Sequence, residues 1–472
     1  MIPVHLVSLG CARNDVDSEE LAARLAAEGF TLVGEPEDAV VIVVNTCGFI
    51  EPAKKDSIDT LLAAADLKQA GQARTVVAVG CLAERYGREL AGELPEVDAV
   101  FGFDAYPQIG ERLRAVLAGE RPVAHRPTDR RRLLPLAPAA RPAAAGAVPG
   151  HGGIPDLPAG VAPPTGPRVL RRRLDAGPFA PLKIASGCDR RCAFCAIPSF
   201  RGAYLSRPIG EIVAEARWLV ERGVREVMLV SENSSSYGKD FADRQALPRL
   251  LAELSRVTGL AWIRVSYLQP AEMTPGILAA IATGANVVPY FDLSFQHAAP
   301  RVLRAMRRFG DPDSFLDLIG RIRRLAPQAG IRSNVIVGFP GETERDVELL
   351  TDFLAAAELD VVGVFGYSDE EGTEAAGLAG KLGTEEIVAR QNRVSELVER
   401  LCEQRATDRI GDRVQVLIER VDDAAVLGRA AHQGPEVDGV TTLMTAPDAA
   451  VGDLVTARVT DSAGIDLIAR CE

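Results

Sequence analysis

The strongest constraint in the sequence is a repeated alternation: a continuous apolar run of strand length, a stretch with helical spacing, then another such run. Near the N-terminus the runs are Val4–Leu9, Val40–Asn45 and Thr75–Val79, rich in valine and without polar alternation. Strands that read this way are covered on both faces, as in a parallel sheet. The helical patterns that follow them are Val16–Glu28, Ala53–Ala70 and Leu82–Glu93. This order predicts a doubly wound parallel α/β domain over residues 1–120.

From Pro181 the alternation resumes with six strand candidates: Leu182–Ser186, Glu226–Val230, Trp262–Tyr267, Val287–Ser294, Ile331–Val337 and Val361–Tyr367. Helical patterns separate them, among them Ile209–Glu221, whose start Pro208 marks. Six such units predict a partial, TIM-like (βα)6 barrel over residues 176–406, ending in a helix at Glu385–Ala406. Chemistry in such a barrel is expected at the C-terminal ends of its strands. Residues 407–472 alternate short β runs (Val414–Ile418, Leu454–Val459, Ile465–Ile468) with Gly and Asp turns, which predicts a small all-β barrel.

Between the two α/β regions, residues 121–175 form a Pro/Ala/Arg-rich linker. Arg121 to Arg173 holds ten Arg against two Asp. Only six of the 53 basic residues in the whole chain are lysine, so a general Arg bias accounts for these arginines and a solvated tether is the expected reading. A net charge of −12 argues against a protein that coats nucleic acid, so contact with RNA is expected to be secondary. No run approaches the roughly 20 apolar residues of a membrane helix, and Met1-Ile2-Pro3-Val4-His5 lacks a secretory pattern. A cytoplasmic protein without membrane partners is expected.

Eight cysteines in a large chain of this kind point to metal or redox chemistry rather than a disulfide framework. Cys188, Cys192 and Cys195 form C-x3-C-x2-C directly after the first barrel strand. Three thiolates so close converge on one metal site, zinc or a four-iron cluster. No fourth ligand follows at a matching spacing, so one metal position stays open for a substrate or cofactor. Cys11, Cys47 and Cys81 each lie just past a parallel strand, at the edge where doubly wound sheets bind ligands. Flanking Gly10, Gly48 and Gly80 permit close approach of a bulky group; the competing reading is small buried apolar side chains. Cys402 reads as helix packing and Cys471 as an incidental terminal residue.

The segment Cys188–Gly202, with its C-x3-C-x2-C and following Ile197-Pro198, resembles the signature of radical S-adenosylmethionine (SAM) enzymes. Cys11, Cys47 and Cys81, together with the small C-terminal β domain, are similar to the methylthiotransferase branch of that family. That branch has an N-terminal cluster domain, a radical SAM barrel and a C-terminal TRAM domain. Ser8-Leu9-Gly10-Cys11, Asn45-Thr46-Cys47-Gly48-Phe49-Ile50, Phe295-Gln296-His297 and Tyr367-Ser368-Asp369-Glu370-Glu371-Gly372-Thr373 resemble the members that modify a ribosomal protein more than those that modify tRNA. The Pro/Ala/Arg-rich insert departs from the family pattern.

The resemblance implies two 4Fe–4S clusters, one on Cys188, Cys192 and Cys195 with SAM on its open iron, the other on Cys11, Cys47 and Cys81. It implies a 5′-deoxyadenosyl radical that takes hydrogen from the β-carbon of an aspartate in small-subunit ribosomal protein S-twelve, free or in the subunit. It also implies a second SAM as methyl donor, a sulfur source, and a reductant such as flavodoxin or ferredoxin. Glu232 and Asn233 follow the second barrel strand, Gln296 ends the fourth and Arg332 lies in the fifth. These are expected to contact SAM, against the alternative of ordinary strand-end hydrogen bonding. His297 reads as a proton relay or a satisfied structural histidine, and Gly338 and Gly341 as a tight turn.

Two other functions compete: a tRNA adenosine methylthiotransferase with the same clusters, and an iron–sulfur carrier or scaffold. Thr407–Glu472 holds six Arg against twelve Asp or Glu, which suits a basic protein better than RNA. Anaerobic purification tests the metal. A brown protein containing iron and sulfide is expected; colourless protein with stoichiometric zinc and no sulfide would replace the cluster reading.

Overall fold

The computed structural model describes residues 1–71, 73–132, 171–422, 425–444 and 449–472. The N-terminal sheet is built from β1 (Ile2–Ser8), α1 (Ala12–Ala27), β2 (Phe30–Leu32), β3 (Val41–Thr46), α2 (Glu51–Gln69), β4 (Thr75–Gly80), α3 (Cys81–Glu93), β5 (Ala99–Val100) and α4 (Ile109–Leu117). Its order is β2-β1-β3-β4-β5, every pair parallel. Leu21, Leu25, Ile109 and Leu113 cover one face, and Leu61, Ala64, Leu82 and Leu90 the other. The strand order reverses between β1 and β3, and the crevice at their C-terminal ends is where such sheets take ligands. The alternation predicts β1, β3 and β4 but not β2 or β5, whose three and two residues are too short to show a pattern.

The central region contains β6 (Phe179–Lys183), β7 (Ala185–Ser186), α5 (Ile197–Arg201), β8 (Leu205–Ser206), α6 (Ile209–Val220), β9 (Glu226–Val230), α7 (Ala246–Leu254), β10 (Trp262–Val265), α8 (Pro275–Thr283), β11 (Tyr290–Gln296), α9 (Pro300–Ala305), α10 (Pro312–Leu325), β12 (Gly330–Val337), α11 (Glu344–Ala357), β13 (Val361–Gly366) and α12 (Thr384–Thr407). Two parallel sheets, β10-β9-β6 and β11-β12-β13, are joined by parallel bridges at Ile263–Val287 and Leu268–Leu293. Six strands thus run side by side in chain order as an open barrel. The expected first strand, Leu182–Ser186, is in fact two: after Lys183 the chain leaves the barrel, and Ala185–Ser186 pairs antiparallel with β8. Outward residues such as Leu229, Ile263, Leu293 and Val335 pack on the helices in one large core. Their neighbours Met228, Ser294, Arg332 and Asn334 alternate toward the lumen and are only half-buried. Cys402 is buried in this core, as its helical position suggests.

The last segment is a closed barrel of β14 (Arg413–Val421), β15 (Val426–Ala430), β16 (Thr441–Leu443), β17 (Leu454–Ala463) and β18 (Asp466–Cys471). It docks at the N-terminal ends of the large barrel's strands, where Leu417 packs on Trp262, Val288 and Tyr290. Glu226 at the start of β9 accepts from Arg264 Nε and from Arg429 Nη2, both at 2.6 Å. Tyr290 donates its hydroxyl to Asp438 at 2.5 Å. Gly330 is required at this seam: a Cβ there would lie 2.3 Å from the His432 carbonyl oxygen.

The N-terminal domain seats on the large barrel through α1, whose Asp17, Glu19 and Glu20 are buried rather than solvated. Asp17 receives Lys183, the last residue of β6, and also Arg201 at 2.6 Å. Glu19 receives Arg171, which also pairs with Glu215 of α6 at 2.6 Å. On the far side, Glu370, beyond β13, receives Arg85 at 2.6 Å and Lys54 at 3.1 Å. The domain is thus tied near both the first and the last strand of the open barrel.

Residues 133–170, most of the expected linker, lie outside the described residues. At its described ends Arg121, Arg126, Arg131, Arg132 and Arg172 are exposed, as a solvated tether would have them, but Arg130 and Arg171 are not. Arg130 is 2% exposed and pairs with Glu84 and Asp104, both at 3.0 Å; Arg171 is 5% exposed. Composition hides this because each partner is remote in sequence, and Glu84, Glu19 and Glu215 are themselves buried. Removing Glu226 would leave the buried Arg264 without its carboxylate and Arg429 with Glu419 alone, a loss of about 3–5 kcal/mol by the usual cost of breaking a buried pair. Glu226→Ala is therefore expected to lower the urea midpoint sharply, and urea unfolding of the full chain checks it.

Candidate functional site

Each N-terminal cysteine occupies a turn at the C-terminal edge of the sheet. Cys11 immediately precedes α1, Cys47 follows β3, and Cys81 opens α3 directly after β4. Gly10 shows how closely these turns converge: with φ +101°, it would place a Cβ 2.9 Å from Cys47 Sγ. Burial raises the pKa of Cys47, and of Cys81 to about 12; the neighbouring thiolates of the trio push both the same way.

The second trio lies on the loop between β7 and α5. Cys188 N donates to the Gly202 carbonyl at 3.0 Å, Ala193 N to the Met306 carbonyl at 3.0 Å, and Ala375 N to the Ala193 carbonyl at 2.8 Å. The loop is thereby laced to distant parts of the barrel mouth. Burial raises Cys188 to about 12 and Cys195 further, and again the trio's own thiolates add to the shift. Two donors face the sulfurs: Arg190 N at 3.4 Å from Cys188 Sγ, and Arg308 Nη1 at 3.7 Å from Cys192 Sγ. Burial disfavours free thiolates here, and the N–H donors at Cys188 and Cys192 suit sulfurs that carry negative charge.

Among the described residues, no three His, Cys, Asp or Glu side chains are placed to hold a single metal ion. A tetrahedral zinc ion needs its sulfurs drawn tightly around one centre, each at about 2.3 Å. The donor set is what a cluster would take: each trio offers three sulfurs, with Arg190 N and Arg308 donating to one trio and Arg201 to the other.

Arg13, two residues after Cys11, joins the sites. Its Nη1 donates to the Ser231 carbonyl at 3.1 Å, its Nε stands 3.6 Å from Glu232, and its guanidinium lies 4.9 Å from the Tyr267 ring centre. Burial opposes its charge, yet the Cys11 thiolate and Glu232 hold its pKa above the ordinary value. The same positive charge pulls down on Cys47 and Cys195, one from each trio. Among the described residues neither Arg13 Nε nor Glu232 Oε2 has a hydrogen-bond partner, and the Glu232 side chain is 2% exposed. A buried carboxylate oxygen without a donor is costly and marks a place for one.

The other expected residues fare differently. Gln296 ends β11 with φ +71°, beside a register shift, and Tyr267 past β10 has φ +61°. Such conformations are strained for non-glycine residues and cluster at ligand clamps. Asn233 is already engaged, donating to Ser236 Oγ of its own loop at 2.7 Å and to Glu272 beyond β10 at 3.1 Å. Arg332 turns to the other end of the lumen, 3.5 Å from Asp438 of the small barrel. His297 is fully buried and satisfied: its Nδ1 accepts from Ala298 N and Ala299 N, so Nε2 donates to Glu342 at 3.2 Å. Glu342 also accepts from Gly338 N at 2.9 Å and shapes the turn expected there. Arg13, Arg201 and Arg308 escape the sequence reading; only Arg13, at Cys11 plus two, carries a local signal.

Residues 3–102 match the uncharacterised protein family UPF0004, residues 182–354 the radical SAM superfamily, and residues 410–471 the TRAM domain. The chain is 62% identical over 472 residues to ribosomal protein uS12 methylthiotransferase RimO of Cutibacterium acnes, covering 100% of this chain and 98% of that protein. The RimO protein of Kineococcus radiotolerans is also 62% identical, covering 99% of this chain and 96% of that one. Among solved structures, the radical SAM methyltransferase TsrM of Kitasatospora setae aligns with a TM-score of 0.53 at 16% identity, covering 77% of this chain and 73% of that one, a likeness of fold.

Glu272 ties the cysteine loop to the loop after β9, pairing with Arg190 at 2.7 Å and Lys239 at 2.9 Å. Burial opposes its ionisation, but Arg190, Lys239 and the Ser236 hydroxyl lower its pKa from 4.5 to about 2. A carboxylate with a depressed folded-state pKa contributes stability above its unfolded pKa and loses it as pH falls through the folded one. Glu272→Gln is therefore expected to cost about 2 kcal/mol at pH 7 and progressively less from pH 4.5 down to 2, read by denaturant titration across that range.

Proposed function

Because the chain belongs to the RimO family of ribosomal protein uS12 methylthiotransferases, we propose that its two cysteine trios hold two 4Fe–4S clusters facing one shared reaction space. The enzyme is a transferase and a radical SAM methylthiotransferase, and membership in that superfamily brings a 4Fe–4S cluster and SAM. Cys188, Cys192 and Cys195 bind the cluster that carries SAM; Cys11, Cys47 and Cys81 bind the second, at which sulfur is supplied. The observation that supports this reading most is the placement of Arg13, which follows Cys11 by two residues, pairs with Glu232 past β9 and acts by its charge on a thiol of each trio.

When bound, these groups supply an electron, a carbon radical, sulfur and a methyl group, the bond chemistry that side chains cannot perform. The chain's own work is ligation, orientation and exclusion of water. Glu232 Oε2, without a partner among the described residues, would accept a hydrogen bond from a hydroxyl or ammonium of bound SAM. Gln296, in its strained conformation at the end of β11, would offer its amide to SAM. Arg190 N and Arg308 donate to the thiolates, and the seated N-terminal domain covers the barrel mouth. The substrate is the aspartate of uS12 that receives the group at its β-carbon. The acidic C-terminal barrel suits that basic protein. A flavodoxin or ferredoxin as reductant, a separate sulfur source and a cytoplasmic setting complete the proposal; among the described residues no helix is long and apolar enough to cross a membrane.

The same reading divides the chain into a cluster domain at 1–120, a joining segment at 121–175, a radical SAM domain at 176–406 and a TRAM domain at 407–472. The family matches at 3–102, 182–354 and 410–471 fall inside these units.

Anaerobically reconstituted enzyme given SAM, reductant, small ribosomal subunits and tRNA is expected to add methylthio to a uS12 aspartate, detected by mass spectrometry. Cys192→Ala is expected to abolish SAM cleavage while keeping about half the iron. Modification of a tRNA adenosine instead would overturn the substrate; absence of SAM cleavage by the unaltered enzyme would overturn the chemistry.

A further inference from the structure

Arg201 ligates nothing and lies outside both cysteine motifs, yet its side chain is 7% exposed and fully engaged. Nη1 donates to Asp17 Oδ2 at 2.6 Å, and Nη2 donates to Cys81 Sγ at 3.0 Å and to Asn14 Oδ1 at 3.4 Å. The guanidinium also lies 4.7 Å from the Phe103 ring centre, so it is gripped on its face as well as its edge. These partners all belong to the N-terminal domain, whereas Arg201 belongs to the barrel's cysteine loop.

Arg201 is the last residue of α5, which begins two residues after Cys195. Pro198 starts this single turn, and Gly202, at φ +90°, ends it, so its length is fixed. One short rigid element therefore carries a thiol of the barrel trio just before its start. At its end it carries the cation that holds a thiol of the N-terminal trio.

Building on the reading that Cys11, Cys47 and Cys81 hold a cluster, we infer that Arg201 is a positioning residue that fixes and tunes that cluster through Cys81 and couples it to the barrel site through α5. A charged N–H donor on a cluster thiolate withdraws electron density and favours the reduced, more negative state. In a buried setting no water replaces the bond when it is lost.

The test uses the full chain with Cys188, Cys192 and Cys195 changed to Ala, so that only the N-terminal cluster is read. Iron and sulfide content, the EPR spectrum of the reduced protein and the midpoint potential are measured with and without Arg201→Gln. The potential is expected to shift to a more negative value with an altered EPR spectrum, and Arg201→Lys is expected to restore part of the shift. Loss of the cluster from Arg201→Gln with an unchanged far-UV spectrum, reversed by Lys, supports the same role. Asp17→Asn keeps the guanidinium on Cys81 while weakening the domain contact, and is expected to move the potential little. An unchanged potential in Arg201→Gln overturns the inference. So does an equal shift in Asp17→Asn, which would trace the effect to domain seating. Failure of the triple-Ala protein to take up any iron would instead overturn the underlying cluster assignment.

Discussion

The geometry of the site depends on one buried carboxylate. Asp17 takes Lys183 from the first barrel strand and Arg201 from the end of the cysteine loop, and it does so from the helix that Cys11 immediately precedes. Three elements that must agree in position, the N-terminal turn, the strand end and the loop, are thereby referred to one pair of oxygens. Burying an acid is unfavourable by itself. Both cations lower the Asp17 pKa against the opposing effect of burial and keep it ionised. The cations' other partners, Glu20 for Lys183 and Cys81 and Asn14 for Arg201, lie in the same N-terminal domain, so the domains have one well-defined seating rather than a sliding apolar one.

This seating also explains how the open barrel tolerates its missing strands. A six-stranded barrel leaves a lateral gap that would admit water to reactive intermediates. Here α1 lies on β6 and the Glu370 clasp lies beyond β13, so the sheet edge bearing Cys11, Cys47 and Cys81 is turned toward the other trio. The small barrel plays no part in that closure. It braces the opposite end through Glu226, Arg264 and Arg429, where the strands begin.

Much of this architecture is legible in the sequence because its signals are local. Uninterrupted valine runs report β3 and β4 directly, and C-x3-C-x2-C reports a shared site by spacing alone. What escapes is whatever depends on long separation or on register. Asp17 meets its cations 166 and 184 residues away, so nothing in its surroundings distinguishes it from a solvated helix acid. Arg332 misleads for the opposite reason: it belongs to the correct strand but is its third residue, and so faces the foot of the lumen. Asn233 lies at a strand end, as chemistry would require, but its amide is committed to neighbouring serines and Glu272.

The acidic inner face of α1 has a consequence for how the chain is made. The N-terminal sheet can close as soon as residues up to Leu117 have emerged, but Arg171, Lys183 and Arg201 come later. At roughly 5–20 residues per second the half-finished protein spends several seconds with that face unpartnered. An apolar face would invite aggregation during this interval. A face bearing Asp17, Glu19 and Glu20 is instead hydrated and repels copies of itself, and it is desolvated only when its cations arrive. The residues that seat the domains therefore also protect the nascent chain until there is something to seat against.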